Sequence, residues 1–535
     1  MDWTPTHYPY PSQRMTVYAK NGAVATSQPL AAAAGLEILR KGGNAIDAAV
    51  ATAAVLTVVE PTSNGIGGDA FALVWTGGRL HGLNASGPAP QLLTPEVVKG
   101  KGLESMPTYG WLPVTVPGAP AAWAALVERW GKLTLKQVME PAIRYAEEGY
   151  PLSPVLANYW SRAVHTAKQR WNEDLYQEWF QVFAPEESAP REGELWRSPA
   201  HARTLLQIAE TGAKSFYRGE LAERIDAHAR ATGGMLRGED LADYRPEWVD
   251  PISVSYRGHE VWEIPPNGQG LVTLLALRLL EEREFVARER IDSFHRQIEA
   301  IKLAFAIGKE TITDPDKMKW SVEKLLSDAF IREQRTRMGE EARTYHGVKP
   351  DAGGTVYLAT ADGEGNMVSF IQSNYMGFGS GIVVPDTGIA LQNRGHTFSL
   401  DPDDINVLAP GKRTYHTIIP GFLTRAGEAI GPFGVMGGFM QPQGHLQVVM
   451  NMIDFHLNPQ STLDAPRWCW TEGKTVQVER GVPAWIVQGL LEKGHDIRIA
   501  PNAGPFGRGQ LIRRDEAGVL AVATEPRTDG SVAAF

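Results

Sequence analysis

Thr355 follows two glycines, Gly353 and Gly354, and heads an alternating run, TVYLATAD, of the kind that forms a half-buried strand. A hydroxyl is a weak nucleophile until a base takes its proton. A threonine at a chain terminus carries its own base, the α-amine, whose reference pKa of about 7.7–8.0 leaves a useful fraction neutral at physiological pH. That chemistry requires the chain to cut itself between Gly354 and Thr355. Small, flexible residues before the threonine let its hydroxyl reach the preceding carbonyl. The plain alternative is a turn that enters a strand.

Two other segments bear on the choice. TVYLATAD and NMVSFIQS flank a turn centred on Glu364, and a hairpin symmetric about that turn sets Thr355 opposite Ser373. Directly opposed residues have Cβ atoms about 4.5–5.5 Å apart, close enough for one hydroxyl to polarise the other. A slip of one residue would send one of them to the other face. GVMGGFMQPQGH ends an expected strand in Gly437-Gly438 and then enters a helix. Such a corner presents adjacent N–H groups, and the helix N-terminus adds partial positive charge, as an oxyanion site needs. Ser373 as an ordinary strand serine and Gly437-Gly438 as a tight corner are the bland readings.

The elements that would position these residues are legible in outline. Pro29–Lys41 reads as a helix with Ser27 as its cap and Gly42-Gly43 as its stop, and Ala45–Val59 as a second, apolar helix. FALVW and RLHGLNA read as a strand pair. Residues 120–350 are mostly helical, with 170–200, rich in Trp, Glu and Pro, expected as a surface excursion. Strands joined by glycine turns follow from Thr355. Helix-rich then strand-rich order suggests helices layered on sheet.

Composition narrows the function classes. The net charge of −9 and the lack of a basic stripe argue against nucleic acid or an anionic membrane as partner. The single cysteine, Cys469, excludes an internal disulfide and a multi-cysteine metal site, and between Trp468 and Trp470 it is expected to be a packed apolar residue. No HExxH or clustered His/Asp spacing suggests a metal hydrolase, and GFGSG lacks the lysine of a phosphate loop. No metal and no cofactor are expected. The start MDWTPTHYPYPSQRM is not built like a secretory signal, and the Ala45–Val59 run carries Asp47 and is too short for a bilayer, so a cytoplasmic location is expected.

Taken together, the segments resemble the γ-glutamyltransferase family of N-terminal-nucleophile hydrolases. The ordered blocks that carry the resemblance include AAAAGLEILRKGGNAIDAAVATAAVLTVVEP, NGIGGDAF, TVPGAPAAW, PPNGQG, GGTVYLATADGEGNMVSFIQSNYMGFGSGIVVPDTGIALQN, GKR, GVMGG and LDAPRW, spread from about Ala23 to the C-terminus. The resemblance implies an α+β fold, a four-layer αββα sandwich. It implies a proenzyme cut between Gly354 and Thr355 into a large subunit, 1–354, and a small one, 355–535, which stay together as one structural domain. Thr355 would be the nucleophile, Ser373 would stand where the family has a threonine that bonds it, and Gly437 and Gly438 would form the oxyanion hole.

The resemblance weakens at the substrate pocket. The family grips a γ-glutamyl carboxylate with an arginine shortly before an AP dipeptide, where this chain has LNASGPAP and Ser86 or its neighbours. Its acidic pair for the α-amine is replaced by His396 and Thr397, its asparagine two residues beyond Ser373 by Tyr375, and its serine pair after GKR by His416 and Thr417. A zwitterion is costly to bury without partners, so γ-glutamyl binding should be weak. Arg394, just after Gln392 and Asn393, is a new cation that either pairs with a substrate carboxylate or lies on a surface loop. The expected substrate-binding set is Tyr375, Asn393, Arg394, His396, His416 and Thr417. The expected function is hydrolysis of a small-molecule amide, with glutathione-type compounds as the family default and oxamate amidohydrolase-like or cephalosporin acylase-like activity as alternatives. No acceptor site for acyl transfer is evident, and a homodimer is left open. A non-catalytic binding protein on the same fold is the rival reading.

Overall fold

The computed structural model describes residues 14–345 and 353–535. The extreme N-terminus and the segment just before Gly353, which the sequence reads as non-signal and turn, lie outside the described residues.

Two seven-stranded sheets lie face to face. The first runs, in spatial order, Ser531–Ala534, Gly22–Thr26, Gly354–Asp362, Met367–Tyr375, Asp69–Thr76, Arg79–Ala85 and Glu247–Val249. The second runs Val17–Ala19, Leu520–Thr524, Arg508–Arg514, Glu428–Met436, Gly421–Arg425, His259–Glu263 and Ile252–Tyr256. Segments from before and after Gly354 interleave in both, so neither sheet is complete without both.

Alternation along the strand Gly354–Asp362 explains the layers. Tyr357, Ala359 and Ala361 enter the core between the sheets with Phe71, Ile371, Phe422 and Ile512. Val356 and Leu358 point the other way, into a core with Val50 and Leu56 of the Ala45–Val59 helix. On the far side, Leu271, Leu275 and Ile301 from two helices (Gly270–Leu280 and Ile291–Thr311) pack on Phe433, Val435 and Leu511. The result is helix, sheet, sheet, helix, the αββα arrangement. The Ala45–Val59 helix is wholly buried, which explains its apolar character on all sides. No helix among the described residues is long and apolar enough to cross a membrane.

Two local expectations are corrected. The cap of the Pro29–Arg40 helix is Gln28, whose side chain accepts from the Leu30 N–H; Ser27 instead donates to the buried Glu60 carboxylate. Residues 170–200 are not simply a surface excursion. Trp171, Trp179, Phe183 and Trp196 are buried, and Phe183 meets Phe378 at 4.6 Å, so this segment props the loop that follows the Met367–Tyr375 strand. The density of large apolar rings outweighs the intervening Glu and Pro.

Candidate active site

The hairpin pairs Val356 with Gln372 and Tyr357 with Ile371, the register symmetric about Glu364. Its open end departs from that pattern. Gly354 pairs with Tyr375, so Ser373 and Asn374 together oppose the single Thr355 and the bulge lies on the Met367–Tyr375 strand. Thr355 and Ser373 keep the parity of Tyr357 and Ile371, which places both at the rim of the core between the sheets. Their Oγ atoms are 3.0 Å apart.

Hydrogen-bond bookkeeping fixes the direction of the contact. Ser373 Oγ donates to the Gly354 carbonyl at 2.7 Å and accepts the Tyr375 N–H at 2.7 Å. A serine hydroxyl has one proton, so the Thr355 hydroxyl is the donor in the remaining bond. The Thr355 proton therefore points at Ser373, and the Ser373 proton points at the Gly354 carbonyl.

The two glycines answer to space. A Cβ on Gly354 would lie 2.8 Å from the Gly377 backbone nitrogen and 3.2 Å from Ser63 Cα. A Cβ on Gly353 would lie 3.0 Å from Gly438 Cα and 3.1 Å from Gly438 N. Three backbone segments thus converge on the peptide before Thr355, one of them the expected oxyanion turn. Gly437 and Gly438 have φ of +135° and +59°, a conformation that side chains resist, at the junction of the Glu428–Met436 strand and the Met440–Ile453 helix. The Gly438 carbonyl is held away by Gln269 Nε2 at 2.9 Å.

A cavity of about 470 Å³ opens beside this junction, lined by Gly353, Gly354, Gly437, Met440, Cys469 and Arg508 among others. It offers room for a group leaving or entering near Thr355, which the sequence did not reveal. Larger cavities, of about 740 and 550 Å³, touch neither the glycine pairs nor Thr355. Cys469 is buried, as expected, and burial pushes its thiol up to about 12.

The expected pocket residues separate into two groups. Tyr375, Arg394, His416 and Thr417 form a buried network around Asp69, the register partner of Ser373 on the neighbouring strand. His416 accepts the Ile418 N–H at Nδ1, so its proton sits on Nε2 and is donated to Asp69 Oδ2 at 3.0 Å. Burial, with the Arg394 charge added, holds His416 well below its ordinary pKa and hence neutral. Burial also lifts Asp69 to about 7 against the pull of Arg394, and lowers Arg394 to about 10. Arg394 is 1% exposed, which corrects the surface-loop alternative; it bonds Thr417 Oγ1 at 2.7 Å and lies 4.3 Å from the Tyr375 ring centre. Tyr375 is held at φ +74°, a conformation that costs a bulky residue about 1–3 kcal/mol.

The second group is tied elsewhere. Asn393 accepts the Met376 N–H and donates to the Thr108 carbonyl, and His396 Nδ1 contacts the Met106 carbonyl at 2.9 Å. Ser86 bonds Asn84 at 2.7 Å. The sequence reading missed Asp69 and Gln269, although NGIGGDAF and PPNGQG contain them; only the register opposite Ser373 could have pointed to Asp69. It also missed a grouping of His295, Glu299 and His495, whose ligand-type atoms lie within 4.8 Å of one another. There the two imidazoles bond each other at 2.9 Å and Glu299 pairs with the buried Lys302 at 2.6 Å.

Comparison with known proteins agrees with this architecture. The gamma-glutamyltranspeptidase family profile matches residues 31–535. A glutathione hydrolase-like proenzyme of Bacillus subtilis, YwrD, is 36% identical over 94% of this chain and 96% of its own length. The oxamate amidohydrolase proenzyme of Klebsiella pneumoniae is 34% identical over 96% of this chain and 98% of its own. Among solved structures, a cephalosporin acylase from Bacillus halodurans superposes with a TM-score of 0.98 and is 63% identical, covering all of this chain and 99% of that one. The two interleaved sheets, the threonine strand with its bulged partner and the glycine turn are therefore those of an N-terminal-nucleophile hydrolase, and the chain belongs to the gamma-glutamyltranspeptidase family.

Proposed function

We propose that the chain is a self-processing amide hydrolase whose nucleophile is Thr355. The observation that carries this reading is the run of contacts from the Thr355 hydroxyl to Ser373 and from Ser373 to the Gly354 carbonyl, at 3.0 and 2.7 Å. In processing, Thr355 Oγ adds to the Gly354 carbonyl carbon. Ser373 takes the hydroxyl proton as it passes its own to the carbonyl oxygen. The C–N bond then breaks as the proton on the former carbonyl oxygen passes to the nitrogen, which leaves as an amine, and an ester joins Gly354 to Thr355 Oγ. Water hydrolyses the ester, leaving residues 1–354 with a new carboxylate and 355–535 with a free α-amine. The proenzyme names of the relatives support such processing.

The freed amine then serves as the base for substrate. It accepts the Thr355 proton as Oγ attacks an amide carbonyl, and the N–H groups of Gly437 and Gly438 stabilise the oxyanion. The proton passes to the leaving amine, and water releases the acid. The substrate class is a small-molecule amide. Glutathione, oxamate and cephalosporins, named with the relatives, mark its range. Tyr375, Arg394, His416 and Thr417 are the residues we place around the acyl group, with Asn393 and His396 supporting that wall.

The deciding experiment is intact mass of the purified protein beside a Thr355→Ala control. Two fragments summing to the 58.5 kDa chain plus one water, with Thr355 as a new N-terminus and none in the control, support the assignment. A wild-type chain that stays whole under all conditions would sink it.

A further inference from the structure

We infer that the protein carries a second ligand site, away from Thr355, for a small organic oxyanion: a carboxylate or phosphate seated on Arg425 and Arg513, with an apolar body against the end of the Met440–Ile453 helix. The site is the cavity of about 740 Å³. That volume lies within the range of about 300–1,000 Å³ usual for small-molecule sites.

Strand parity and the length of one helix build the site. Val261, Leu423 and Leu511 lie on the helix-covered face of the second sheet. His259, Arg425 and Arg513 stand two residues away in the same strands, and so on the same face. The covering helix stops at Ile453, and past its end the sheet presents cations where it had presented valine and leucine. All three line the cavity, together with Phe285, Met452 and Ile453. Val286, 86% exposed, adds an apolar rim.

The two arginines have no anion of their own. Arg257, the third guanidinium in the wall, is tied to Asp454 at 3.2 Å and to the Glu281 and Arg283 carbonyls. Asp454 also accepts the Tyr256 hydroxyl at 2.9 Å. Glu284 lines the wall, and among the described residues it pairs with neither Arg425 nor Arg513. Within the described residues the side chains of those two arginines make no hydrogen bond or ion pair. Arg513 is half-buried, and burial holds its guanidinium below its usual pKa with no acid acting against it. Both arginines act on one spot: adding to the effect of burial, their charges hold His259 below its ordinary pKa. The helix C-terminus supplies only about half a negative charge. Two unneutralised guanidiniums beside an apolar wall match an oxyanion on an apolar body.

The site is separate from the reacting groups. Met440, at the helix start, lines the cavity beside Gly437, whereas Met452 and Ile453, at its end, line this one. A rise of about 1.5 Å per residue sets the two ends roughly 20 Å apart. Binding here therefore needs no turnover to be seen.

The test is isothermal titration calorimetry of the whole protein with phenyl phosphate, phenylacetate and uncharged benzyl alcohol. At least one anion should bind with a Kd below about 1 mM and at least about tenfold tighter than the alcohol. Tighter phenyl phosphate would assign a phosphate ester, and tighter phenylacetate a carboxylate. Arg425→Gln/Arg513→Gln should weaken the bound anion at least about tenfold, through loss of charged hydrogen bonds. Should the double variant fail to fold, Arg425→Gln alone, at an exposed position, must weaken it at least about threefold. Val286→Asp, at another exposed position, should weaken it at least about threefold by charging the apolar rim. Anions bound no tighter than the alcohol, or an affinity untouched by the arginine variants or by Val286→Asp, would overturn the inference. Sedimentation with phosphatidylglycerol vesicles, with neither small anion bound, would overturn it in favour of a lipid surface.

Discussion

Ser373 Oγ stands 3.0 Å from Thr355 Oγ and 2.7 Å from the Gly354 carbonyl oxygen, so one hydroxyl bridges the threonine side chain and the peptide before it. The third contact of Ser373, from the Tyr375 N–H, leaves it a single rotamer in which its proton faces the carbonyl. On the proposed mechanism, Ser373 is then a proton conduit in processing rather than a spacer.

Ser373→Ala should therefore slow self-cleavage by about 10²–10³-fold, the loss typical of one well-placed oxyanion donor. Ser373→Thr should restore most of it, since the hydroxyl is kept. Time courses of the uncut fraction on denaturing gels measure both. Wild-type speed in the alanine variant would remove Ser373 from the chemistry.

The peptide before Thr355 is shaped by backbone crowding. Gly354→Ala would press a methyl to 2.8 Å from the Gly377 nitrogen, a contact that only backbone movement can relieve. The variant should fold but cleave at least about tenfold more slowly, because a displacement of the carbonyl of even 1 Å is costly in a positioned reaction. Gly353→Ala, against Gly438, should act in the same direction more weakly. Cleavage of both variants at the wild-type rate would show that the glycines serve only as a turn.

Much of this architecture can be read from the chain because it is local. The alternation of TVYLATAD and NMVSFIQS about Glu364 gives the hairpin, its register and the meeting of Thr355 with Ser373. The Gly437-Gly438 corner is visible as a strand end followed by a helix start. The missed residues act through long-range contacts. Asp69 matters because its strand lies beside that of Ser373, and Gln269 because it spans Thr417 and Gly438. Trp171, Trp179 and Trp196 are buried by partners distant in sequence, so their polar neighbours suggested a surface. The burial of Arg394 is likewise a property of the assembled sheet.

Acidity offers a separate test. Burial raises Glu60 from 4.5 to about 7, although Arg508 lies 3.7 Å away and pulls the other way. A carboxyl with a raised folded pKa stays protonated in the native state while the unfolded chain has already lost its proton. Native stability should thus fall as pH rises from about 4.5 through about 7, then level off, by on the order of 3 kcal/mol for this group. Glu60→Gln, which keeps an acceptor for Ser27, should flatten that part of the profile and be the more stable form at pH 8. Urea midpoints at pH 5 and 8, taken on a Thr355→Ala background so that one chain unfolds, provide the measurement. Parallel profiles for the two proteins would contradict the assignment.

Gln269 links the site's two halves. Its amide donates to the Thr417 carbonyl at 2.5 Å and the Gly438 carbonyl at 2.9 Å, and its oxygen accepts the Tyr415 hydroxyl at 3.1 Å. Gln269→Glu keeps the shape but turns the two donors into acceptors that face carbonyl oxygens. Gln269→Leu removes the donors without adding charge. Each leaves two buried carbonyls unpaired, at about 1–3 kcal/mol apiece, and frees the Gly438 peptide to rotate. Both variants should lose at least about tenfold in kcat, with the glutamate variant no better than the leucine one. A positioning role predicts that KM changes less than kcat, since the donors fix the glycine turn rather than the acyl group. Equal losses in the two parameters would point instead to a general loosening of the pocket.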